Sequence, residues 1–464
     1  MAADHEAALL DEIRARPDDD GPRLVFADAL SERGDPWGEL IVAGCELARL
    51  AREGVVDAER RRELEERCRE IRLRRWHERR WAFDATLDRG FCTSLSTASD
   101  EIRQAEGYEL AVLREVRLAA DSAALGALAD SPLVDQLERL VLWGNVDRHY
   151  RRLWLIAEQQ RARADALARL AERARPRSVE LANIEFHQDE LMQLARSPLR
   201  ESLRRFAVER QPVGAIELDW PALEALELVA VQLTGEGIDR ALRRPALDSL
   251  TALDLSNNSL GGMGLRVILD RALPNLRTLR LRNAFLSADA MATLARSLLV
   301  RRLAALSIGE NRTDPTGAAL CLVAEAADQL VELEIDQGSL TSEDAAEIVR
   351  RLRAPLRTLR LRGGGAGFAM MTELVNNAAL RGLRTLDLSN QPIGHAAVVA
   401  LARAELPALE QLDLSNCRLD QESVYALAQS PTLPRRVALR LSGNARGPES
   451  VTEPLLARFH DVRC

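Results

Sequence analysis

The chain has 464 residues, and 63 basic against 71 acidic side chains leave a net charge of −8. Every basic residue is arginine, and the complete lack of lysine excludes a Walker-type phosphate loop, a Schiff-base enzyme and a kinase-type catalytic lysine. Leucine supplies 78 residues while aromatics make up 4%, which points to a regular, layered interior; the mildly acidic balance excludes the single-sign field of a dedicated nucleic-acid binder.

The opening stretch, MAADHEAALLDEIRARPDDD, has neither the basic n-region nor the apolar h-region of a secretory signal. No segment approaches the roughly 18 consecutive apolar residues of a membrane span. Cys45, Cys68, Cys92, Cys321, Cys417 and Cys464 form no C-x-x-C pair, which fits free thiols in a reducing compartment better than a zinc site or a disulfide framework. A soluble, cytoplasmic protein is expected.

Residues 1–82 carry no repeat and read as a helical capping domain: DHEAALLDEIRAR, PRLVFADALSERG, and a longer helix from about Trp37 to Arg75. Asp20-Gly21-Pro22 marks a helix start and Gly34 its end. The run Asp18–Asp20 lacks the spacing of a calcium loop and reads as an N-cap at a turn. The segment ALLDEIRARPDDDGPRLVFADALSERGD resembles a bacterial repeat-companion domain, whose usual form is L-x-x-D-P-x-D-D-x-P-R-L-x-Y-A-D-W-L-x-E-x-G-D. Phe26 stands at its Tyr position and Ala29 at its Trp position. The resemblance implies no catalytic function, and RRWAFDATLDRGF looks like the usual junction into a repeat region expected over 83–464.

GFCTSLSTA (90–98) is expected to be a first, edge-like strand, followed by LREVRLAAD (113–121) and LERLVLWGN (137–145). Between Leu142 and Leu181 the gap widens to 39 residues, filled by an Arg- and Ala-rich stretch. This predicts a helical insertion at about 147–176, projecting from the helical side. Its arginines, Arg148, Arg151, Arg152, Arg161 and Arg163, read either as a solvated helix face or as a dock for an acidic protein or a nucleic acid. Trp143 and Trp154 are candidate aromatic anchors.

From about residue 176 the pattern L-x-x-L-x-L recurs, followed by a small or polar loop and a helical stretch. Its last apolar residue falls at Leu181, Val208, Leu228, Leu255, Leu281, Ile308, Ile335, Leu361, Leu388, Leu414 and Leu441, and the residue two before each is apolar as well. The spacings are 26 or 27 apart from one of 20, between Val208 and Leu228, where QPVGAIELDWPA leaves no room for a helix and should cross in extended form. LTALDLSNNSL (250–260), LRTLDLSNQPI (383–393) and LEQLDLSNCRL (409–419) resemble the leucine-rich repeat, and the period resembles its ribonuclease-inhibitor-like subclass. The resemblance implies an α/β solenoid, a horseshoe with a parallel sheet on the concave side and helices on the convex side. Small residues in the helical halves (Gly237, Gly264, Ala290, Gly317, Ala397, Ser423) should let each helix approach the sheet. Strands about 4.8 Å apart joined to helices 8–10 Å apart must curve, which leads to the same concave sheet. The slot normally held by asparagine carries Asn258, Asn311 and Asn444, with Cys417 as an accepted substitute, but Gln211, Val231, Ala284, Gly338, Gly364 and Gln391 elsewhere. Turns lacking the asparagine need other partners or water.

The residue between paired leucines projects from the concave face. This gives a partner-binding column of Glu227, Asp254, Arg280, Glu334, Arg360, Asp387, Asp413 and Arg440, with Arg282, Asp336 and Arg362 beside it. Two compatible readings arise: neighbouring strands neutralise one another laterally, or the alternating charges form a docking surface. The mixed signs argue against a nucleic-acid backbone there. RGGGAGF (362–368) fails the G-x-G-x-x-G spacing and reads as a degenerate turn. The six histidines are scattered, no G-x-S-x-G occurs, and neither a cofactor nor a metal site is expected. A non-enzymatic scaffold or inhibitor that binds an unidentified protein is the expected function. Alternatives are a regulator resembling leucine-rich-repeat GTPase-activating proteins, and nucleic-acid association through the Arg-rich insertion.

Overall fold

The computed structural model describes residues 2–54, 57–76, 85–97, 102–103, 105, 107–144, 157–184, 186–213, 220–242, 247–271, 273–311, 318–336, 340–364, 367–444, 449–459 and 461–463. The chain forms two compact units, Met1–Ala207 and Val208–Cys464.

The first unit opens with four helices, α1 (Ala2–Ala15), α2 (Asp20–Glu32), α3 (Trp37–Glu53) and α4 (Ala58–Trp76). Helix α2 begins where the Asp19 carboxylate accepts the Gly21 N–H at 2.9 Å, and Gly34 beyond its end adopts a left-handed φ of 72°. A hairpin follows, β1 (Thr86–Asp88) and β2 (Phe91–Thr97), turning through Arg89 and Gly90, both at positive φ. Two successive positive φ values make the tight turn that matches strand twist, and a Cβ at Gly90 would strike Ile41. The antiparallel β1 therefore lies outside β2, so the 90–98 strand is not the edge expected of it. A three-residue strand without a repeat leaves no sequence signal. Ile13, Phe26, Leu30, Trp37, Ile41, Phe91 and Val112 form one core, joining the helices to the first strands. The indole of Trp37 donates to the Gly90 carbonyl at 2.7 Å, and Arg89 donates to Asp20 at 2.8 Å and to the Pro17 carbonyl.

The strands then run parallel: β3 (Glu115–Ala119), β4 (Arg139–Trp143), β5 (Ser178–Ala182) and β6 (Arg205–Glu209). Helices α5 (Ser122–Asp130), α6 (Ala157–Arg173), α7 (Gln188–Arg196) and the short α8 (Leu199–Ser202) lie between them in sequence. Helix α6 does not project: it packs on α5 and buries Ala166, Leu167, Leu170 and Ala171, an amphipathic face of the same kind as its neighbours'.

The second unit repeats strand, turn and helix: β7 (Ala225–Val229), α9 (Gly235–Ala241), β8 (Ala252–Asp254), α10 (Gly261–Asp270), β9 (Thr278–Arg280), α11 (Ala288–Arg296), β10 (Ala305–Ser307) and α12 (Ala318–Ala326). It continues through β11 (Glu332–Asp336), α13 (Ser342–Arg351), β12 (Thr358–Arg362), α14 (Phe368–Asn376), β13 (Thr385–Asp387) and α15 (His395–Ala402). It closes with β14 (Gln411–Asp413), α16 (Gln421–Ala428), β15 (Ala438–Arg440), α17 (Glu449–Arg458) and β16 (Asp461–Arg463). All strands here are parallel and in sequence order, the arrangement of a leucine-rich-repeat solenoid. Among the described residues no helix lies between β6 and β7, and the middle of the extended crossing expected there, 214–219, is outside them.

Paired leucines such as Leu253 and Leu255, or Leu386 and Leu388, are fully buried beneath the sheet. Burying a leucine side chain contributes about 1.5–3 kcal/mol, so the periodic column is the main stabilising element. Capping sets the helix starts: Ser287, Thr341 and Asp420 accept N–H groups from Ala290, Asp344 and Ser423. Of the small helical residues, Gly264 also serves a contact between helices. A Cβ at Gly264 would lie 2.8 Å from Leu260 Cβ and 3.5 Å from the Gly235 Cα, so α9 and α10 meet backbone to backbone at this glycine pair.

Candidate interaction surface

Strand register places the charged residues of the second unit side by side. Glu227, Asp254, Arg280, Ser307, Glu334, Arg360, Asp387, Asp413, Arg440 and Arg463 pair in succession across β7–β16, and Asp336 sits opposite Arg362 in a second row. The strands that carry them are pinned by the buried leucines on their other face, so the row is rigid.

Much of this charge is already engaged. Asp254, Asp387 and Asp413 each accept the N–H of the serine two residues on, at 2.9–3.0 Å, and so shape the turn after their strands. Arg362 pairs with Glu334 and lies 3.6 Å from Asp336 and 3.9 Å from Asp387. Arg360 pairs with Glu332. Arg282 reaches two strands across to Asp336 at 2.9 Å, as well as to Glu310 at 2.7 Å. Gly309 lies on the intervening strand line, where a Cβ would come within 2.5 Å of the Asp336 backbone nitrogen. From β7 to β15 two arginines are only loosely held: Arg280 stands 4.0 Å from Asp254 and Arg440 3.7 Å from Asp413, beyond hydrogen-bonding distance, as does Arg463 on β16 at 3.7 Å from Asp461. Burial pushes the Asp254 carboxyl above the ordinary range, and the charge of Glu227 adds to this against hydrogen bonds from Ser256. Burial likewise raises Asp336 despite Arg282.

In the first unit, Glu180 holds Arg139 at 2.9 Å and Arg205 at 3.4 Å. Burial works to raise its carboxyl, but the two arginines outweigh that and hold it below the usual glutamate range. Trp143 stands half-buried on β4, flanked in register by Ala119 and Ala182. Trp154 and Arg148, Arg151 and Arg152 lie outside the described residues. Arg163 does not belong to a basic patch: it is 7% exposed, forms two hydrogen bonds of 2.7 and 2.8 Å with the equally buried Glu190, and lies over the Phe186 ring. Arg169 and Arg173 pair with Asp130 and Asp135, so most of the charge of α6 is neutralised.

The asparagine slot follows a rule that no single repeat shows. Asn258 Oδ1 accepts the N–H groups of Val231 and Leu233 in the preceding repeat, and its Nδ2 donates to the carbonyls of Leu228 and Leu255. Asn311 does the same for Ala284 and Leu286, and Asn444 for Cys417 and Leu419. Each asparagine thus completes the turn of a neighbour whose own slot lacks an amide: Val231, Ala284 or Cys417. Gln391 donates in the same way to Leu361 and Leu388. One position earlier a second column adopts left-handed φ, including Asn257, Asn283, Asn390 and Asn416, and hydrogen bonds link Asn283 to Asn257 and Asn416 to Asn390. Asn and Gly recurring two residues after the strand leucine are the signal that would have found this column.

In RGGGAGF, Gly363 turns at φ 70° and Gly367 caps α14, a repeat turn; 365–366 lie outside the described residues. Among the described residues no cluster of His, Cys, Asp and Glu is arranged to hold a metal. Burial pushes the thiols of Cys45, Cys92 and Cys417 up to about 12. No described helix is long and apolar enough to cross a membrane.

The profile of the family described as Leucine Rich Repeat matches residues 408–429, the β14–α16 repeat. No curated protein matches the chain. Among solved structures it is similar to an internalin from Listeria monocytogenes str. 4b F2365, at 14% identity over 80% of this chain and 86% of that one, with a TM-score of 0.30. It is similar to TLR13 in a TLR13–ssRNA13 complex at 16% identity, 80% of this chain, 54% of that one and a TM-score of 0.43. A Bacteroides fragilis protein gives 11% identity, 75% and 84% coverage and a TM-score of 0.30. Leucine-rich-repeat proteins generally act as protein-interaction scaffolds.

Proposed function

We propose that the chain is a non-enzymatic protein-binding module that recognises a partner protein on the exposed sheet face of its second unit, acting as a scaffold or inhibitor. The supporting observation is the register of charged side chains from Glu227 to Arg440, interrupted by Ser307, on strands held by a leucine core. A preorganised surface of this kind loses little conformational freedom on association, which favours recognition. No chemistry is assigned to the face: most of its carboxylates and guanidinium groups are paired with one another or with turn amides, and Arg280 and Arg440 stand beyond hydrogen-bonding distance of a carboxylate.

A steric plug tests this reading with little risk to the fold. Gln411 is exposed on β14 on the same face as Asp413. A protein captured by the wild type should be lost with Gln411→Trp and retained by Met263→Ser, which alters an exposed residue of α10. Equal recovery by both variants would remove the sheet face as the binding site.

A further inference from the structure

The charge row holds five carboxylates against four guanidinium groups, yet the two signs do not lie at the same depth. Arginine places its guanidinium several bonds farther from the backbone than aspartate places its carboxylate, so pairing the two on neighbouring strands leaves cations outermost. Arg280 is 44% exposed above Asp254 at 15%, and Arg440 is 54% exposed above Asp413 at 22%. From β7 to β15 these two arginines are also the loosely held ones, with no side-chain hydrogen bond to a carboxylate among the described residues. The exposed Arg463, 3.7 Å from Asp461, follows Arg440 in register.

We infer that the partner bound on this face presents two acidic patches, one seated on Arg280 and one on Arg440. The inference rests on the sheet-face reading above. Six strand spacings separate β9 from β15, on the order of 29 Å at 4.8 Å each. That span fits a folded protein surface or a helix of about 20 residues, and it is too long for a small anion. It also favours a protein over a nucleic acid. Between the two arginines the row runs through Ser307, Glu334, Arg360, Asp387 and Asp413, and the Arg360 guanidinium is drawn to Glu332. A phosphate backbone laid along it would meet three carboxylates against that one engaged guanidinium, whereas an acidic protein with two separate patches passes over them. Each guanidinium, approached from outside, still offers free N–H edges for bidentate carboxylate pairing.

The test uses the full chain and three fluorescein-labelled probes in about 50 mM salt: a 20-residue helical peptide with glutamate clusters at both ends, its lysine counterpart, and a 20-nucleotide single-stranded DNA. Fluorescence anisotropy should show the glutamate peptide binding best. Arg280→Gln and Arg440→Gln should each weaken it about threefold and together about tenfold, with Met263→Ser unchanged and thermal melts confirming that the variants fold. Preference for the lysine peptide or the DNA, no binding of the glutamate peptide, or binding indifferent to the double variant overturns the inference. If Gln411→Trp blocks the glutamate peptide while the arginine variants do not, the face stands and the two-arginine assignment falls. If the peptide survives the plug as well, its binding lies elsewhere and the face reading loses this support.

Discussion

At Asn258 one amide group serves five backbone partners, two N–H groups and three carbonyls, all inside the protein. A buried polar group left unmatched costs about 1–3 kcal/mol. Asn258→Ala should therefore destabilise by about 3 kcal/mol or more in urea unfolding, while Asn283→Gly, at an outer left-handed position, should stay within about 0.5 kcal/mol. Acidic residues divide by environment in the same way. Glu180 has its pKa lowered on folding, so its stabilisation is present above the ordinary glutamate value of about 4.3 and fades as pH falls through the lower folded value. Asp254 has its pKa raised, so its contribution is complete below about 3.9 and is lost as pH rises through the folded value. Thermal melts of Glu180→Gln should accordingly fall below wild type at pH 7 and converge with it toward pH 3. Asp254→Asn keeps an oxygen for the Ser256 N–H and should melt no lower than wild type at pH 7.

Helices α6 and α7 are joined by the Arg163–Glu190 pair, closed on both sides from water. Removing one partner strands a buried charge, so Glu190→Ala should cost about 3–5 kcal/mol, and Arg163→Met with Glu190→Leu should recover most of it; a double-mutant cycle by chemical denaturation checks both. This element shows where the sequence stopped being readable. Period and leucine pairing located the strands, and capping residues such as Ser287 located helix starts, because those signals are local. Arg163 looked like surface because its partner lies 27 residues away in the next helix. β1 has too few residues to carry a pattern, and the arginine-glycine turn that creates it is visible only from its backbone angles. On the sheet face, L-x-L alternation showed which side chains leave the core. It could not show that Arg282 crosses a strand to Asp336, or that Arg280 and Arg440 stay loosely held, since both depend on neighbours set by register.

Over the whole chain, arginine as the sole cation gives the ion pairs their reach and their forked geometry, as at Arg139, which spans Glu115 and Glu180. Cys45, Cys92, Cys321 and Cys417 belong to the interior instead. With their thiols pushed up to about 12, Cys45, Cys92 and Cys417 hold on the order of one thiolate in ten thousand at pH 8. Mass-resolved labelling with a thiol reagent should leave these three unmodified in the native protein and modify them on unfolding; rapid native labelling at Cys417 would contradict the packing around Asn444.

The asparagines reach in one direction only. Asn258, Asn311 and Asn444 each complete the turn of the repeat before them and none completes the one after. The solenoid is thus ordered like roof tiles laid from one end. During synthesis, a repeat such as the one at Val231 emerges with its turn amides unsatisfied until the asparagine 27 residues later has left the ribosome. A chain cut just before Asn444 would leave the Cys417 turn open, while a cut on the other side of that turn would cost Asn444 no structural role in its own strand, since its bond to the Leu441 carbonyl remains.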